Sequence, residues 1–548
     1  MTDPAGSGGR GRLAEVLATR GGLADPEAPF VIEHREALIY MLCQAAELEH
    51  GIMCQYLFAA FSLKQRADEG LTLEELEAVT RWRDTIANVA TDEMLHLALV
   101  QNVLSAIGAA PHLTRPNLPA PARHYPAGVY LTLVPFGERA LQHFMFLERP
   151  EGMELEGAKG IDAPVHEAVP LMPEGDIVPQ LQDFATIGHL YRSIEQGLMH
   201  LADKFGERNL FVGPPRAQAT STDFQWPELV AVTDPASAQR ALDTILEQGE
   251  GARGHWETAH FGRFVDILDE YRQMIAANPA FDPIRPVMFA RVRHGEHDDS
   301  LPLIGDRVTS QCTDLFNVTY EILLQILERY FAHTEETDGQ LATLANAAVT
   351  LMGGVLRPLG ELITTLPVGP EHPGRNAGPS FELFYEDDDL MPHRGSAWAL
   401  LEERLRDAST FCGAVMDSSR QDVASGLGVT EGTLTAVADS LAQHFADWGA
   451  TSRFLTTGGG ATTVVTDSAK ASGPDEPLHF EENIKPLFRE RDRDSMRFAF
   501  DLWSLDDVST HTDAILERLE AGTMPCDGAW PSERVAVFRR WVDAGKPA

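Results

Sequence analysis

Cysteine and positive charge are both scarce in this 548-residue sequence. The five cysteines form no CxxC and no CxxCH pattern, which argues against a disulfide framework, excludes covalent haem and favours reduced thiols in a cytoplasm. Lysine and arginine number 44 against 82 aspartates and glutamates, so the formal net charge is −38. A field of that sign repels nucleic acid and anionic membrane surfaces, and we predict neither as a partner.

The sequence also lacks an apolar segment of the secretory type near residue 1. Residues 39–63 approach the length of a membrane span. However, Glu47, Glu49 and His50 lie at the centre of this stretch, where each charge would cost about 2.5–3.5 kcal/mol. We therefore predict a buried helix of a soluble, cytoplasmic protein with no membrane contact.

Helical periodicity dominates the rest of the sequence, so we predict a mainly α fold. Gly- and Pro-rich stretches indicate a flexible tail and a linker. The predicted parts are a tail at 1–30, a four-helix metal-binding bundle at 31–300, a second helical domain at 301–455, a linker at 456–477 and a small helical module at 478–548.

The predicted bundle contains four long amphipathic segments, at about 33–64, 72–107, 179–205 and 234–277, the last with a break near 248–254. Thr72 and Glu75 have the spacing of a capping box at the start of the second segment. Residues 112–178 are Pro-rich and predict a long crossover with one strand-like run, GVYLTLVPF. Four helices joined by one long crossover are typical of ferritin-like bundles.

Each of these four segments carries ionisable residues on its apolar stripe. The candidate metal ligands are Glu49 in the first, Glu93 and His96 in the second, Glu195 in the third, and Glu257 and His260 in the fourth. Glu250 lies on the fourth segment as well, and a local break could bring it to the metals instead of Glu257. Helical spacing alone favours Glu257.

Several carboxylates buried on facing helices need a common counter-charge, because a buried carboxylate without a partner would rather take up a proton. The order Glu, Glu-x-x-His, Glu, Glu-x-x-His is the ligand set of di-iron or di-manganese carboxylate bundles. A single Glu-x-x-His is common by chance, whereas the set of four is specific. Glu47 and His50 flank Glu49 and are not predicted as ligands; His50 is interpreted as a hydrogen-bond donor behind the ligands or a core histidine.

The motif EHGIMCQY, with Glu49 and Tyr56, resembles the first-helix signature of ferritins and bacterioferritins, and DEMLH resembles their second-helix motif. The stretches AAELEHGIMCQYLFAAFSL, QGEGARGHWETAHFGRF and LRPLGELITTLPVGP resemble the ferritin-like family named after iminophenyl-pyruvate dimer synthase, over roughly residues 31–400. That family includes violacein- and rebeccamycin-pathway enzymes that couple indolepyruvate imines; they are longer and associated with haem. The motif QGEG recurs in that family, so the resemblance favours Glu250 as a ligand. Both fourth-helix glutamates therefore stay candidates.

The closing module resembles a small cytochrome c domain in its IKPLF opening, its MP loop and its closing WVDAG. Where CxxCH would follow, the sequence reads RERDRDSM, so Met524 has no haem to bind. We interpret the module as a structural cap or docking surface and Cys526 as an ordinary free cysteine.

The leading functional hypothesis is an oxidoreductase of secondary metabolism that uses two iron ions, or manganese, and O₂ or a peroxide to oxidise a small nitrogenous or amino-acid-derived substrate. Tyr56 and Tyr191 are predicted near the metals, as hydrogen-bonding groups or radical relays. The alternatives are imine coupling of the dimer-synthase type and a ferritin-like metal-binding or storage protein. A homo-oligomer or a pathway partner enzyme is left open.

Overall fold

The fold is described from a computed structural model. It covers residues 28–120, 131–151, 153, 184, 186–251, 256–293, 301–332, 335–384, 390, 392–446, 478–488, 492–493, 496, 500–520, 530 and 532–547. The chain divides into two compact units, residues 1–456 and 457–548. The described residues are mainly helical, with isolated β-bridges and no strand, which confirms the predicted fold class. The finer domain boundaries stay predictions.

The long helices of the first unit fall into a bundle half and a second half. Those of the bundle half are α1 (Arg35–Ser62), α2 (Leu73–Ala106), α3 (Glu138–Leu147), α4 (Ile187–Phe205), α5 (Pro235–Gly249) and α6 (His260–Ala277). Those of the second half are α7 (Arg307–Phe331), α8 (Asp338–Leu351), α9 (Arg357–Ile363), α10 (Arg394–Ser418) and α11 (Gln421–Ala446).

Helices α1 and α2 form the central pair of the bundle. Thr72 and Glu75 make the predicted capping box, each side chain bonding the other residue's backbone N–H, so α2 begins at Leu73. Helix α4 packs on α1 and α5, while α6 packs on α2 and α3. The fourth predicted segment is therefore two helices, because α5 ends at Gly249 and α6 begins at His260.

The predicted crossover contains structure that the sequence analysis did not anticipate. Helix α3 lies within it and buries Leu141 and Phe144 in the core. The described part of the strand-like run, residues 131–136, is not a strand. The alternating apolar residues of this run instead pack a loop against α1. A Cβ at Gly51 would lie 2.4 Å from a methyl carbon of the Leu131 side chain, which would then have to shift.

In the second half, α8 and α9 are joined by a π-helical turn, Met352–Leu356. Asp338–Ile363 is the one stretch of the described residues with the length and apolar composition of a membrane span; 56% of its window is buried inside the protein. Core helices of globular proteins commonly have such a composition.

The second unit has its own apolar core, which includes Phe480, Leu502, Phe538 and Trp541. Its helices are α12 (Leu505–Thr510), α13 (Thr512–Glu520) and α14 (Ser532–Asp543). The predicted linker, Met524 and Cys526 lie outside the described residues, and the cytochrome c-like interpretation of this unit stays a prediction.

Candidate metal centre

Two buried triads of carboxylate and imidazole groups meet inside the bundle half. One consists of Glu49, Glu93 and His96, and the other of Glu93, Glu148 and His260. Within each triad the three donor atoms lie within 4.8 Å of one another. Glu93 belongs to both triads, so together they make one site with two neighbouring positions.

The helices bring these side chains together by simple spacing. Glu93 and His96 are three residues apart on α2 and therefore share one face. Glu49 comes from the facing stripe of α1, Glu148 directly follows the end of α3, and His260 is the first residue of α6. The site is thus built from four separate elements.

Distances within the triads are similar. His96 Nδ1 lies 2.7 Å from Glu93 Oε2 and 3.7 Å from Glu49 Oε2. His260 Nδ1 lies 2.9 Å from Glu93 Oε1 and 3.7 Å from Glu148 Oε2. Each imidazole therefore presents Nδ1 to one oxygen of the shared carboxylate and one of an outer carboxylate.

One of these contacts is not a hydrogen bond. His260 Nδ1 and Glu93 Oε1 are both buried without a hydrogen-bond partner of acceptable geometry among the described residues. Buried polar atoms are rarely left in this state, because each costs about 1–3 kcal/mol. A metal ion bound between the two would satisfy both, so these residues fit a metal.

Both outer carboxylates are held by a tyrosine hydroxyl. Tyr191 of α4 donates to Glu49 Oε1, and Tyr56 of α1 donates to Glu148 Oε1. Burial raises the pKa of both phenols well above the ordinary value, so both stay protonated donors. In each triad, one oxygen of the outer glutamate therefore accepts a hydrogen bond from a tyrosine, and its other oxygen faces the histidine.

The far ring nitrogens are held as well. His96 Nε2 lies 3.0 Å from Gln248 Oε1 on α5, and His260 Nε2 lies 3.2 Å from Asp92 Oδ2. Arg263 donates to the same Asp92 oxygen at 3.0 Å. Partners of this kind fix the orientation of metal-binding histidines in many proteins.

The charges of the site are mutually dependent. Burial, reinforced by Glu93, raises the pKa of Glu49 to about 7. Burial also opposes ionisation of Glu93 and His96, but their attraction outweighs it: the pKa of Glu93 is lowered and that of His96 is raised to about 10. The neighbouring carboxylates likewise overcome burial and raise the pKa of His260. Without metal, protons must balance the negative charge of the buried carboxylates. Divalent cations would balance it in place of the protons.

Glu250 lies beside the triads. It lines a cavity of about 20 Å³ together with Glu49, Glu93, His96 and Glu148. Its Oε2 accepts a hydrogen bond from a backbone N–H at 2.8 Å, whereas its buried Oε1 has no hydrogen-bond partner in the described structure. Burial raises its pKa to about 7. Glu250 therefore reaches the site from the end of α5.

Two predicted ligands are not brought to this cluster. Glu195 lies half-buried on α4, where Gln239 of α5 donates to it at 2.9 Å. Glu257 is exposed in the turn before α6, because the helical spacing that would align it with His260 does not extend there. Glu148 was not predicted, although Leu141 and Phe144 precede it at seven and four residues and mark the same helix face.

The part of the chain that forms this cluster is similar in sequence to known proteins. The family described as Ferritin-like matches residues 42–269. Dichlorochromopyrrolate synthase from Lentzea aerocolonigenes is 30% identical over 427 residues, which are 70% of this chain and 40% of that protein. The 2-imino-3-(indol-3-yl)propanoate dimerase from Chromobacterium violaceum is 27% identical over 384 residues, 65% of this chain and 34% of that protein. The chain thus spans well under half the length of either relative.

Among solved structures, a ferritin-like protein from Caulobacter vibrioides matches 58% of this chain and 94% of its own at 18% identity and a TM-score of 0.35, which is too weak to support an inference. The sequence matches stand without it: residues 42–269 belong to the family described as Ferritin-like, and the chain is similar in sequence to the synthase and the dimerase.

Proposed function

We propose that the protein is a non-haem oxidoreductase with a two-iron centre that oxidises a small nitrogenous substrate. The observation that carries the proposal is the pair of buried triads sharing Glu93. The ligands in this proposal are Glu49, Glu93, His96, Glu148, Glu250 and His260.

Four carboxylates and two neutral imidazoles balance two divalent cations, and carboxylate-rich sites of this type accept iron or manganese. When bound, an iron pair supplies two-electron oxidation with O₂ or a peroxide as the oxidant. The chain's own residues hold the geometry: the Tyr56 and Tyr191 hydroxyls fix the outer carboxylates, and Asp92 and Gln248 fix the imidazoles.

The substrate class rests on the relatives. Both are named for products or substrates that contain nitrogen, a chromopyrrolate and an indolyl imine. The same names favour a second candidate, oxidative coupling of two imine molecules. The two are distinguished by mass, because coupling joins two substrate molecules whereas oxidation of one molecule does not.

A cytoplasmic location is part of the proposal. It is supported by Cys43, Cys54, Cys312 and Cys412, which are all free thiols in the described structure.

Metal analysis tests the centre. Protein loaded with ferrous iron under anaerobic conditions is expected to retain about two irons per chain. Glu93→Ala should lose both, because Glu93 is common to the two triads. Glu195→Ala is the matched control, a glutamate of the same bundle outside the cluster, and should retain both.

Oxygen consumption tests the activity. Uptake of O₂ by the iron-loaded protein should depend on an added indolyl imine, and mass spectrometry of the product separates the two candidates. Stable uptake of many irons per chain without any organic substrate would instead indicate storage. Wild-type protein that retains no iron would refute the proposal.

A further inference from the structure

A second cavity, of about 430 Å³, lies on another side of the α1–α2 pair, between it and the second half of the unit. None of its lining residues lines the small cavity beside the metal site. Glu49 and His50 show why: they are adjacent on α1 but point about 100° apart around the helix axis. The α1–α2 pair therefore forms a wall between two separate sites.

The cavity is lined mainly by apolar and aromatic side chains. Its rings include Phe61, Phe316, Tyr320, Phe331 and Phe381. Phe381 has a backbone φ of 51°, a left-handed conformation that costs a residue with a side chain about 1–3 kcal/mol. Such strain is kept where the fold needs a particular side-chain position, here a ring in the cavity wall.

His50 and Gln101 are the buried polar residues of this lining, and the Gln101 amide is bonded to the backbone of His112, which leaves His50. It is 1% exposed, and its Nδ1 makes no hydrogen bond of good geometry among the described residues, although the backbone of Leu113 lies beside the ring. Its Nε2 contacts the hydroxyl of Tyr320. A buried ring nitrogen in a mainly apolar wall is suited to one hydrogen bond with a polar group of a ligand.

The mouth of the cavity lies between α2 and the π-helical turn. Ala87 and Thr91 line it from α2, and Val349 and Gly353 line it from the other side. Val349 is 50% exposed there, so this side of the cavity meets solvent. Isolated π turns inside helices frequently occur at functional sites.

The charges near the mouth are already paired. Arg83 lies 3.2 Å from Asp84, and Arg357 lies 3.3 Å from Glu361. The lining therefore offers no unpaired cation that would favour an anionic ligand.

We propose that this cavity is a binding site for a neutral, ring-containing organic molecule with one polar group that hydrogen-bonds to His50. Its volume lies within the range of about 300–1,000 Å³ that is usual for small-molecule sites. The site is distinct from the metal centre and does not depend on the proposed function.

Fluorescence titration with N-phenyl-1-naphthylamine, a neutral dye that brightens in apolar surroundings, tests the cavity in the full chain. We expect saturable binding of about one dye per chain. A Cβ at Gly353 meets open space, so Gly353→Phe should fold and fill the mouth; Ala87→Phe fills it from α2. Each should weaken binding at least about tenfold.

The control is Gly413→Phe, at a helical glycine that also has open space around it but lies outside the cavity, and it should bind the dye as wild type does. Thermal unfolding verifies that all variants fold. Absence of saturable binding to the wild type, or wild-type affinity in both cavity variants, would overturn the proposal.

Displacement of the dye by three similar tricyclic molecules tests His50. Carbazole carries an N–H donor, fluorenone a carbonyl acceptor, and fluorene neither. We expect one of the polar pair to bind about fivefold or more tightly than fluorene, and His50→Phe to remove that preference while fluorene still binds. Equal affinities for all three in the wild type would contradict the role of His50.

Glu93→Ala distinguishes this proposal from the previous one. It should lose iron and keep dye binding, because Glu93 does not line the large cavity. Dye binding that disappears with the metal would overturn the independence of the two sites.

Discussion

Replacing Gly188 with alanine should remove Glu250 from the proposed metal centre without displacing any other proposed ligand. A Cβ at Gly188 would lie 1.2 Å from Glu250 Oε1, 2.3 Å from its carboxyl carbon and 2.8 Å from Oε2. Real Cβ atoms essentially never approach within 3.0 Å, so Oε1 must move by about 1.8 Å, the difference between the two distances. The whole carboxylate has to leave its place.

This movement is large for a ligand but small for the fold. Metal ligands keep their distances within about 0.2 Å, so a displacement several times larger breaks the bond. The atoms displaced are the end of a flexible side chain, and Gly188 is the second residue of α4, a position that alanine also accepts. We therefore expect Gly188→Ala to unfold at the same urea concentration as wild type, and to bind the more weakly held iron at least about tenfold less tightly.

A double-mutant cycle with Glu250→Ala makes this prediction sharp. Iron affinity is measured by competition with a chelator in the wild type, both single variants and the double variant. If Gly188→Ala acts only through Glu250, it should have no effect in the Glu250→Ala background. Wild-type affinity in Gly188→Ala, or an equal loss in both backgrounds, would refute the assignment of Glu250 as a ligand.

Two further predictions concern a hydroxyl and a buried ion pair. Tyr56→Phe keeps the ring but removes the hydrogen bond to Glu148, so iron affinity should fall by about 10–100-fold with little change in thermal unfolding; unchanged affinity would contradict a positioning role. Glu336→Gln breaks a pair with Arg329 that spans 2.8 Å and whose side chains are 0% and 2% exposed, so urea unfolding should show a loss of about 3–5 kcal/mol. Asp68→Asn, in an exposed pair, is the control and should cost less than about 1 kcal/mol; similar losses for the two would refute the distinction.

The sequence predicted the helical architecture and part of the site, because periodicity reports which face of a helix is buried. Glu49, Glu93 and His96 lie on long uninterrupted helices, where that inference is reliable. Periodicity does not report the level along the helix axis. Gly188 is the residue of α4 that faces Glu250. Glu195 lies seven residues further along the same helix, which is about 10 Å of rise, and so is at a different level from the cluster.

The remaining residues depend on where helices end. Glu250 and His260 approach the site because α5 stops and α6 starts anew, and a projection onto one continuous helix cannot represent that break. Glu148 comes from a short helix inside a Pro-rich crossover, where ten residues are too few to stand out against the surrounding loop. These positions are set by tertiary packing rather than by local sequence.

The sharing of Glu93 has a consequence for the order of metal uptake. The first ion to bind would draw on the Glu93 carboxylate, so the second position would be left with a weaker ligand and a neighbouring positive charge. The two positions should therefore fill one after the other with different affinities, and protein at half-saturating iron should consist mainly of singly loaded chains.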